Sequence, residues 1–407
     1  MRLKEICDYI SRGTTPDYVD ESPYKVMNQA TFSKGWLDEN NVRYTSKNVR
    51  EAQIKKGDLL MASTGGGVLG KVFFFDSDNT SFYADSHVSI LRNSKGGNLM
   101  KYLYYVFSIK YDEINATMVK GSTNQTELQR NYLLAYELDM PPLSKQQRIV
   151  DYLDEKLGNI DARIAVLEQQ QNAYARLKKS IIHHAVTCGL NPNVSLKDSG
   201  VDWIGMIPEH WEVKRIKDVF NVVCGATPKD LPIFWDGNIL WITPADMSDL
   251  GELEKGARTI TEKGYESCGT NIVPEYSIIM STRAPIGKTN LALNKMCTNQ
   301  GCKCLTSKKQ NMRFMLYFIW NCKEKFQALG KGTTFIELST KDLSLFVFAY
   351  PPLSEQQVIA DYLDEKCSKI DAIIENISKQ INALKRLKRA LINEVVTGQR
   401  NVERVEM

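Results

Sequence analysis

Two glycine–lysine pairs are the residues of this sequence whose types and spacing first suggest chemistry. In a phosphate-binding loop, glycine-rich backbone cradles the phosphates while a lysine reaches the terminal ones. Gly70-Lys71 is followed by Val72 where a magnesium-binding Ser or Thr is needed, and Gly287-Lys288 is preceded by Thr282 where the first glycine belongs. The pattern therefore disfavours nucleotide hydrolysis. We interpret both pairs as tight turns that bring backbone and a lysine up to another surface.

Other catalytic and metal-binding patterns are incomplete. The Pro-Pro segments after Met140 and Tyr350 lack the flanking Asn/Asp and aromatic residues of amino-methyltransferases, and no glycine-rich strand-to-helix turn for a methyl donor is present. Cys297, Cys302 and Cys304 lack the two-residue spacing of a zinc site, and the 4 histidines are scattered. We therefore predict that the chain has no catalytic centre and binds no metal.

Small polar and basic residues on glycine-rich turns recur at matching places in the two halves of the chain. Lys and Arg can neutralise phosphates, while Gln, Asn, Arg and Thr can hydrogen-bond to base edges in a groove. Residue types alone explain these turns equally well as solvated loops, because each half is close to neutral. The candidate DNA contacts are Arg12, Thr14, Thr15, Gln29, Thr31, Lys34, Thr64, Lys71, Lys120, Ser122, Thr123 and Asn124 in the first half, and Thr227, Lys229, Asp246, Arg283, Lys288, Asn299, Gln300, Lys331, Thr333 and Thr334 in the second.

A repeated segment must position these turns. The segment from Pro141 to Thr187 matches the segment that begins at Pro351 at 26 of 47 positions, with a constant offset of 210 residues. The chain therefore contains an internal duplication. Both copies open with a proline pair and a Ser-x-x-Gln pattern, at Ser144 and at Ser354, which is typical of a capping box. We predict that a helix of about 44 residues, roughly 65 Å long, begins at each box.

Apolar residues at alternating spacings of four and three form a narrow seam along each predicted helix. Such a seam suits a single partner helix, and we expect the two helices to pair with each other. Gln171, Lys178 and Lys388 interrupt the pattern. They either fix the register and orientation of the pair or lie at an open end of it. The predicted seam residues are Ile160, Ile164, Leu167, Tyr174 and Ile181 in the first helix, and Ile370, Ile374, Ile377, Ile381, Leu384, Leu391 and Val395 in the second.

Length, charge and cysteine content limit the class of protein. A chain of 407 residues is long enough for more than one domain, and a net charge of +4 permits a nucleic-acid partner without requiring one. The 9 cysteines are irregularly spaced and the charged start of the chain is unlike a secretory leader, so we expect reduced thiols in the cytoplasm. The apolar runs are too short to span a bilayer.

The polar turns keep the same order in the two halves. The turn from Gly13 to Pro16 is answered by the turn from Gly225 to Pro228, and short apolar runs between the turns predict strands. The leader from Asp198 to Val213 has no counterpart in the first half. We predict an α+β fold with a pseudo-two-fold internal repeat, in which two similar mixed α/β globular domains are separated by two long antiparallel coiled-coil helices. The expected boundaries are residues 1–142, 143–190, 191–350 and 351–407.

The sequence resembles the specificity subunit of type I restriction–modification systems. The resemblance rests on PPLS-x-QQ-x-IxxYLDEK at both 141 and 351, followed each time by Ile-Asp-Ala, and on Gly-x-Thr-Pro at both domain starts. The leader around Trp203 and Trp211 and the motif that begins at Trp241 add to it. The resemblance covers nearly the whole chain, although the leader is missing before the first domain.

The resemblance implies a non-catalytic DNA-recognition subunit of a host-defence complex. Each globular part would be a target-recognition domain that reads one half of a bipartite, asymmetric site in double-stranded DNA. The paired helices would set the spacing and dock two methyltransferase subunits. S-adenosylmethionine would bind to those subunits, and ATP and magnesium to the restriction subunits, so this chain would bind no cofactor. Two alternatives remain: a stand-alone DNA methyltransferase with a diverged centre, and a coiled-coil adaptor without DNA function.

Overall fold

The computed structural model divides the chain into two compact units. Unit 1 comprises residues 1–168 and 379–407, and unit 2 comprises residues 169–378. Each unit therefore contains one globular part together with a stretch of both long helices. The structure describes residues 1–46, 49–94, 97–120, 126–307, 309–332 and 336–402.

The globular part of unit 1 is built on two four-stranded sheets. Its strands are β1 (Tyr9–Arg12), β2 (Tyr18–Val19), β3 (Lys25–Met27), β4 (Arg43–Thr45), β5 (Leu59–Ala62), β6 (Val72–Phe74), β7 (Phe82–Ala84), β8 (Val88–Arg92), β9 (Val119–Lys120) and β10 (Glu127–Leu128). Its helices are α1 (Leu3–Ile6), α2 (Gln29–Phe32), α3 (Gly97–Ser108), α4 (Tyr111–Thr117) and α5 (Arg130–Ala135), followed by the first long helix, α6 (Leu143–Cys188), and short 3-10 helices lie at Glu39–Asn41 and Arg50–Ala52.

The central strand of unit 1 is buried on both faces. The two sheets have the orders β1-β8-β5-β6 and β2-β4-β3-β7, and β9 pairs with β10. In β5, Leu59 and Met61 pack into the cluster that includes the helices, whereas Leu60 and Ala62 pack into the cluster between the two sheets. This alternation explains why the strand is a continuous apolar run.

Unit 2 repeats this plan with a larger central sheet. Its strands are β11 (Leu196–Asp198), β12 (Met206–Pro208), β13 (Glu212–Arg215), β14 (Asn221–Cys224), β15 (Trp235–Ile242), β16 (Leu250–Leu253), β17 (Arg258–Ile260), β18 (Ile278–Ser281), β19 (Thr289–Ala292), β20 (Cys297–Thr298), β21 (Cys302–Thr306) and β22 (Val347–Tyr350). Its helices are α7 (Ile216–Val219), α8 (Glu262–Glu266), α9 (Met312–Asn321), α10 (Lys323–Leu329), α11 (Thr340–Leu345) and the second long helix, α12 (Leu353–Val396), with a 3-10 helix at Pro232–Phe234.

The sheets of unit 2 surround the strand that matches β5. The strand orders are β14-β21-β18-β19-β16 and β17-β15-β20, and β11 pairs with β12 and β13 with β22. In β18, Ile278 and Met280 face the helices and Ile279 faces the opposite cluster. Each globular part therefore has an equivalent central strand, and the two strands are buried in the same alternating way.

The long helices pair antiparallel, and the polar residues of the seam are bonded across the pair. Within unit 2, Gln171 Nε2 donates to Ser378 Oγ at 2.7 Å, and Lys178 Nζ contacts both carboxylate oxygens of Asp371 at 2.7 Å. Moving forward from residue 171 to 178 on α6 thus moves backward from 378 to 371 on α12. Of the two interpretations of these polar residues, the structure supports the one in which they fix the register.

The same ion pair recurs within unit 1. Lys388 Nζ lies 2.7 and 2.6 Å from the two carboxylate oxygens of Asp161. Lys388 is equivalent to Lys178, and Asp161 to Asp371, under the 210-residue offset. The two helices have exchanged roles.

The predicted seam positions are shielded from solvent in both long helices. Between Ile160 and Ile181, every residue of α6 that is not exposed lies at a four-three position, and the matching positions of α12 are also shielded. The α+β fold with two repeated domains and paired antiparallel helices is therefore confirmed.

The predicted capping boxes are wrong. Each long helix begins before the serine, at Leu143 and at Leu353. The side chain that closes the first turn is the next glutamine: Gln146 Nε2 donates to Pro141 O at 2.8 Å, and Gln356 Nε2 donates to the matching proline carbonyl at 3.0 Å. The backbone N–H groups of residues 145 and 146 donate to Pro142 O at 2.8 and 3.0 Å, so the proline carbonyl and not the serine hydroxyl accepts from the first turn.

The unmatched leader covers the start of α12 in unit 2. Trp211 is fully buried, and its Nε1 donates to Glu355 Oε2 at 2.9 Å. The residue of α6 that matches Glu355 is Lys145, which is not an acceptor. None of the helices described is both long and apolar enough to cross a membrane.

Candidate nucleic-acid interface

A glycine at the start of each Gly-x-Thr-Pro turn presses the turn against a neighbouring strand. A Cβ atom on Gly13 would lie 2.0 Å from Ala84 O, and one on Gly225 would lie 2.1 Å from Thr298 O. Only glycine allows this approach. The following residue is bound in the same way in both units, since Thr14 N and its counterpart donate to these same two carbonyls at 3.2 and 2.9 Å. The turns that carry Thr14, Thr15 and Thr227 are therefore held by equivalent backbone contacts.

The glycine-rich turn after β5 carries two of the candidates in unit 1. Thr64 Oγ1 is hydrogen-bonded to His87 Nδ1 at 2.7 Å. Lys71 is half-buried at the end of the turn, and its ammonium group forms no side-chain bond within the described residues. Lys71 therefore keeps a cation for an external acceptor, whereas Thr64 shares its hydroxyl with a histidine.

Arg12 is held internally beside this turn, because its partner Glu127 also forms a β-bridge with Thr64. Its Nη1 forms an ion pair with Glu127, and its Nη2 donates to Leu128 O at 2.9 Å. Both terminal nitrogens of the guanidinium are thus engaged, and 30% of the side chain is exposed. The arrangement ties β1 to β10.

Two further candidates of unit 1 are structural. Thr31 is fully buried, and its hydroxyl accepts from Asn28 N at 3.0 Å and donates to Asn28 Oδ1 at 3.2 Å. The expectation that Thr31 contacts DNA is therefore wrong, because the side chain closes the start of α2. Lys34, just after α2, bonds Asp38 at 2.8 Å, and Gln29 keeps Oε1 buried without a hydrogen-bond partner.

Lys288 and Asp246 in unit 2 stabilise loops instead of facing outward. Lys288 Nζ donates to the carbonyls of Pro244 and Met247, both at 2.9 Å. The carboxylate of Asp246 accepts from Ala257 N at 2.8 Å and also from the backbone N and the hydroxyl of Thr243 at 2.8 and 2.7 Å. The polar atoms of these two side chains are thus already bonded to neighbouring loops, which gives both residues a structural role in unit 2.

Several other candidates of unit 2 lie on the surface. Thr227 and Gln300 are exposed and donate and accept, respectively, in one hydrogen bond. Lys229 is exposed, and its ammonium group has no side-chain partner within the described ranges. Asn299 Oδ1 accepts from Gly301 N at 2.9 Å, which shapes the turn between β20 and β21. Thr227, Lys229 and Gln300 thus present polar groups at the surface of this turn region.

An arginine, a glutamate and a buried lysine form a connected group in unit 2. Arg283 Nε donates to Glu337 Oε2 at 2.9 Å, and Lys303 Nζ lies 3.3 Å from Glu337 Oε1. Although burial alone raises it, hydrogen bonds from the two cations hold the pKa of Glu337 below its ordinary value. The sequence analysis missed both Glu337 and Lys303. The Glu-Leu that follows the polar turn in each half was the available signal for Glu337.

The structure describes only part of the polar turns that precede Glu127 and Glu337. Lys331 Nζ contacts Asp342 Oδ2 at 3.2 Å, and 76% of its side chain is exposed. Lys120 lies in β9. The remaining candidates of these turns fall outside the described residues; they are Ser122, Thr123, Asn124, Thr333 and Thr334. Among the residues described, no group of three His, Cys, Asp or Glu side chains is placed to hold a metal ion.

Comparison with known proteins decides the family. The model for the type I restriction modification DNA specificity domain matches residues 1–173 and again residues 208–385. The chain belongs to this family. The two matches coincide with the two halves of the internal duplication, so the family unit is a single domain with its helix and occurs here twice.

Individual relatives agree with the family assignment. The MjaIX specificity subunit of a type I restriction enzyme from Methanocaldococcus jannaschii is 37% identical over 190 residues, which is 45% of this chain and 43% of that one. The MjaVIII specificity subunit of the same organism is 23% identical over 99% of this chain and 93% of its own length. A chain from a study of the assembly and conformational transition of the type I R-M system shares the fold, with a TM-score of 0.71, 18% identity and coverage of 97% and 96%.

Family membership confirms the interpretation of the chain as a type I specificity subunit, which is a DNA-recognition component and not an enzyme. Neither the stand-alone methyltransferase nor the DNA-independent adaptor is favoured by any of these relatives. How the individual turn residues share the recognition is a question for the geometry of each unit.

Proposed function

We propose that the globular parts of unit 1 and unit 2 each bind one half of a bipartite, asymmetric DNA site. The observation that carries the proposal is a common scaffold with different side chains on it. Gly13 and Gly225 hold equivalent turns against equivalent strands. At the corresponding position of the next turn, however, unit 1 has Thr64 and unit 2 has Arg283. Equivalent scaffolds would dock on DNA in the same way, and different side chains would read different bases.

The paired helices set the distance between the half-sites and dock two methyltransferase subunits. In this arrangement the methyltransferase subunits hold S-adenosylmethionine and carry out the chemistry, and restriction subunits that use ATP and magnesium join the same cytoplasmic complex. The chain itself needs no cofactor for such a role. We assign recognition to residues 1–142 and 191–350, and spacing to residues 143–190 and 351–407.

The proposed DNA contacts fall into two groups. Lys71, Lys229 and Lys331 supply cations for phosphates, because the first two ammonium groups are not paired with other side chains within the described residues and the third is largely exposed. We assign the reading of base edges to exposed polar residues such as Thr227 and Gln300.

The test is to map methylated sites in cells that carry the complete system with variants in one unit at a time. Thr227→Val should change the preference at one position of a single half-site, by about 1–3 kcal/mol of discrimination. Lys229→Ala should weaken binding to all sequences alike and make it less dependent on salt. Changes made in unit 2 that altered only the half-site of unit 1 would overturn the assignment. Binding of S-adenosylmethionine by the isolated chain would favour the stand-alone methyltransferase.

A further inference from the structure

A buried lysine anchors the group that ends at Arg283. Lys303 in β21 is 4% exposed, and its Nζ donates to Leu338 O at 2.8 Å and to Thr282 Oγ1 at 3.3 Å. Its contact with Glu337 is a third bond from the same nitrogen. All three donors of the ammonium group are therefore used. Such a lysine fixes the position of one oxygen of Glu337.

The other oxygen of Glu337 holds Arg283 by its inner nitrogen. The bond is made by Nε at 2.9 Å, and no other hydrogen bond of this guanidinium is formed within the described residues. The side chain is 43% exposed. A guanidinium is planar, so fixing Nε in a carboxylate bond restricts the plane in which the two terminal nitrogens lie. Arg283 thus offers a pre-oriented pair of terminal donors.

Unit 1 has no such group at the corresponding positions. Strand register pairs Met61 with Ser89 in unit 1 and Met280 with Lys303 in unit 2, so Ser89 stands where the buried lysine stands. Ser89 Oγ is bonded to Ser63 Oγ at 2.6 Å. The matching glutamate, Glu127, holds an arginine from β1 by a terminal nitrogen. Among the residues that the structure describes, an arginine held through Nε with its terminal nitrogens unbonded therefore lies at this place in unit 2 and not at the matching place in unit 1.

We propose that Arg283 reads a guanine in the half-site bound by unit 2, with Glu337 and Lys303 as its positioning residues. The inference rests on the proposed division of the site between the two units. The guanine edge in the major groove presents two acceptors, O6 and N7, which match two parallel donors, whereas adenine presents one acceptor and one donor. A carboxylate bonded to the arginine disfavours a phosphate as the ligand, because the two anions would repel each other, but it does not disfavour a neutral base edge.

The experiment uses the full chain in complex with its methyltransferase subunits, together with DNA that carries the recognition site found by mapping methylation. Each guanine of the second half-site is replaced in turn by 7-deazaguanine, which lacks the N7 acceptor but still pairs with cytosine. Wild-type protein should bind one of these DNAs more weakly by several-fold, and Arg283→Ala should show no further loss on that DNA. Against a full base-pair change at this position, Arg283→Ala should lose about 10- to 100-fold of discrimination.

Glu337→Gln tests the positioning of Arg283 while the positive charge of the arginine is kept. The glutamine keeps the shape of the side chain but holds the guanidinium less firmly, so discrimination at the same guanine should fall while discrimination at other positions is retained. Lys263→Ala is the matched control, because it removes one exposed positive charge from α8 of the same unit. It should leave the preference for the guanine unchanged. Thermal unfolding of each variant checks that the fold is intact.

Two results would overturn the inference. One is a second half-site in which no guanine responds to 7-deazaguanine. The other is an Arg283→Ala variant that loses affinity equally for all sequences, which would make Arg283 a phosphate contact. If Thr227→Val alters the second half-site while Arg283→Ala does not, only this inference fails. If neither variant alters it, the division of the site between the units fails too.

Discussion

The inter-helix ion pairs provide a sharp test of how the long helices are held in register. In unit 2, the side chain of Lys178 is 17% exposed and that of Asp371 is 55% exposed. In unit 1, the matching Lys388 is 33% exposed and Asp161 is 53% exposed. The two acidic residues are thus alike, and the two lysines differ in how strongly the seam shields them.

This difference predicts unequal effects of removing the acid. Asp371→Ala leaves a lysine whose side chain is only 17% exposed without its partner and should lower the free energy of unfolding by about 1–3 kcal/mol. Asp161→Ala leaves an ammonium group that water can still reach and should lower it by about 0.2–1 kcal/mol. Adding Lys178→Met to Asp371→Ala should recover most of the loss, since an apolar side chain suits the seam.

The assay is urea unfolding of the full chain followed by helical circular dichroism, with the slope m compared among variants to exclude a change in the unfolding transition itself. A loss for Asp161→Ala equal to or larger than that for Asp371→Ala would refute the reasoning. So would a double variant no more stable than Asp371→Ala alone, since the penalty would then not come from an unpaired lysine.

Three further predictions concern the turn glycines, the length of the helices and the activity of the isolated chain. Gly13→Ala and Gly225→Ala should each lower stability by about 1–3 kcal/mol or more, because the added Cβ would meet a carbonyl oxygen at 2.0 or 2.1 Å; an unchanged urea midpoint would contradict this. Adding four residues at facing places in both helices lengthens the pair by about 6 Å, comparable to one or two base pairs, and should lengthen the spacing of methylated half-sites without changing either of them. Unchanged spacing in an active variant would leave the helices as docking surfaces only. The purified chain alone should transfer no methyl group to DNA, and labelled S-adenosylmethionine measures this directly.

The parts of the structure that depend on local periodicity were accessible from the sequence. The seam of the long helices follows from a spacing of four and three that only a helix can turn into one face. The central strands could also be located from their short apolar runs. The start of each helix was harder, because Ser144 and the proline carbonyl compete for the same first-turn donors and the sequence does not show which one wins.

The polar residues of the candidate interface were less accessible, because their roles depend on contacts between distant parts of the chain. Lys288 follows a glycine on a turn, as a phosphate-binding lysine would, yet its ammonium group reaches carbonyls more than forty residues earlier in the chain. Lys303 stands between two buried cysteines in a strand that reads as core, and only the bond to Glu337 shows its role. A single sequence carries no signal for such pairings.

The internal duplication explains how one fold can serve an asymmetric site. The residues that shape the scaffold recur in both units. They are the glycine of the first turn (Gly13 or Gly225), the glutamate of the Glu-Leu pair (Glu127 or Glu337), and an aspartate of each long helix. Asp154 accepts from Tyr105, and the matching Asp364 accepts from Tyr317 at 2.8 Å, which ties each recognition part to its helix in the same way. Side chains at the ends of the central strands, by contrast, differ between the units. These end residues differ while the shared contacts of the scaffold remain, so each half of the chain can acquire its own preference for DNA bases.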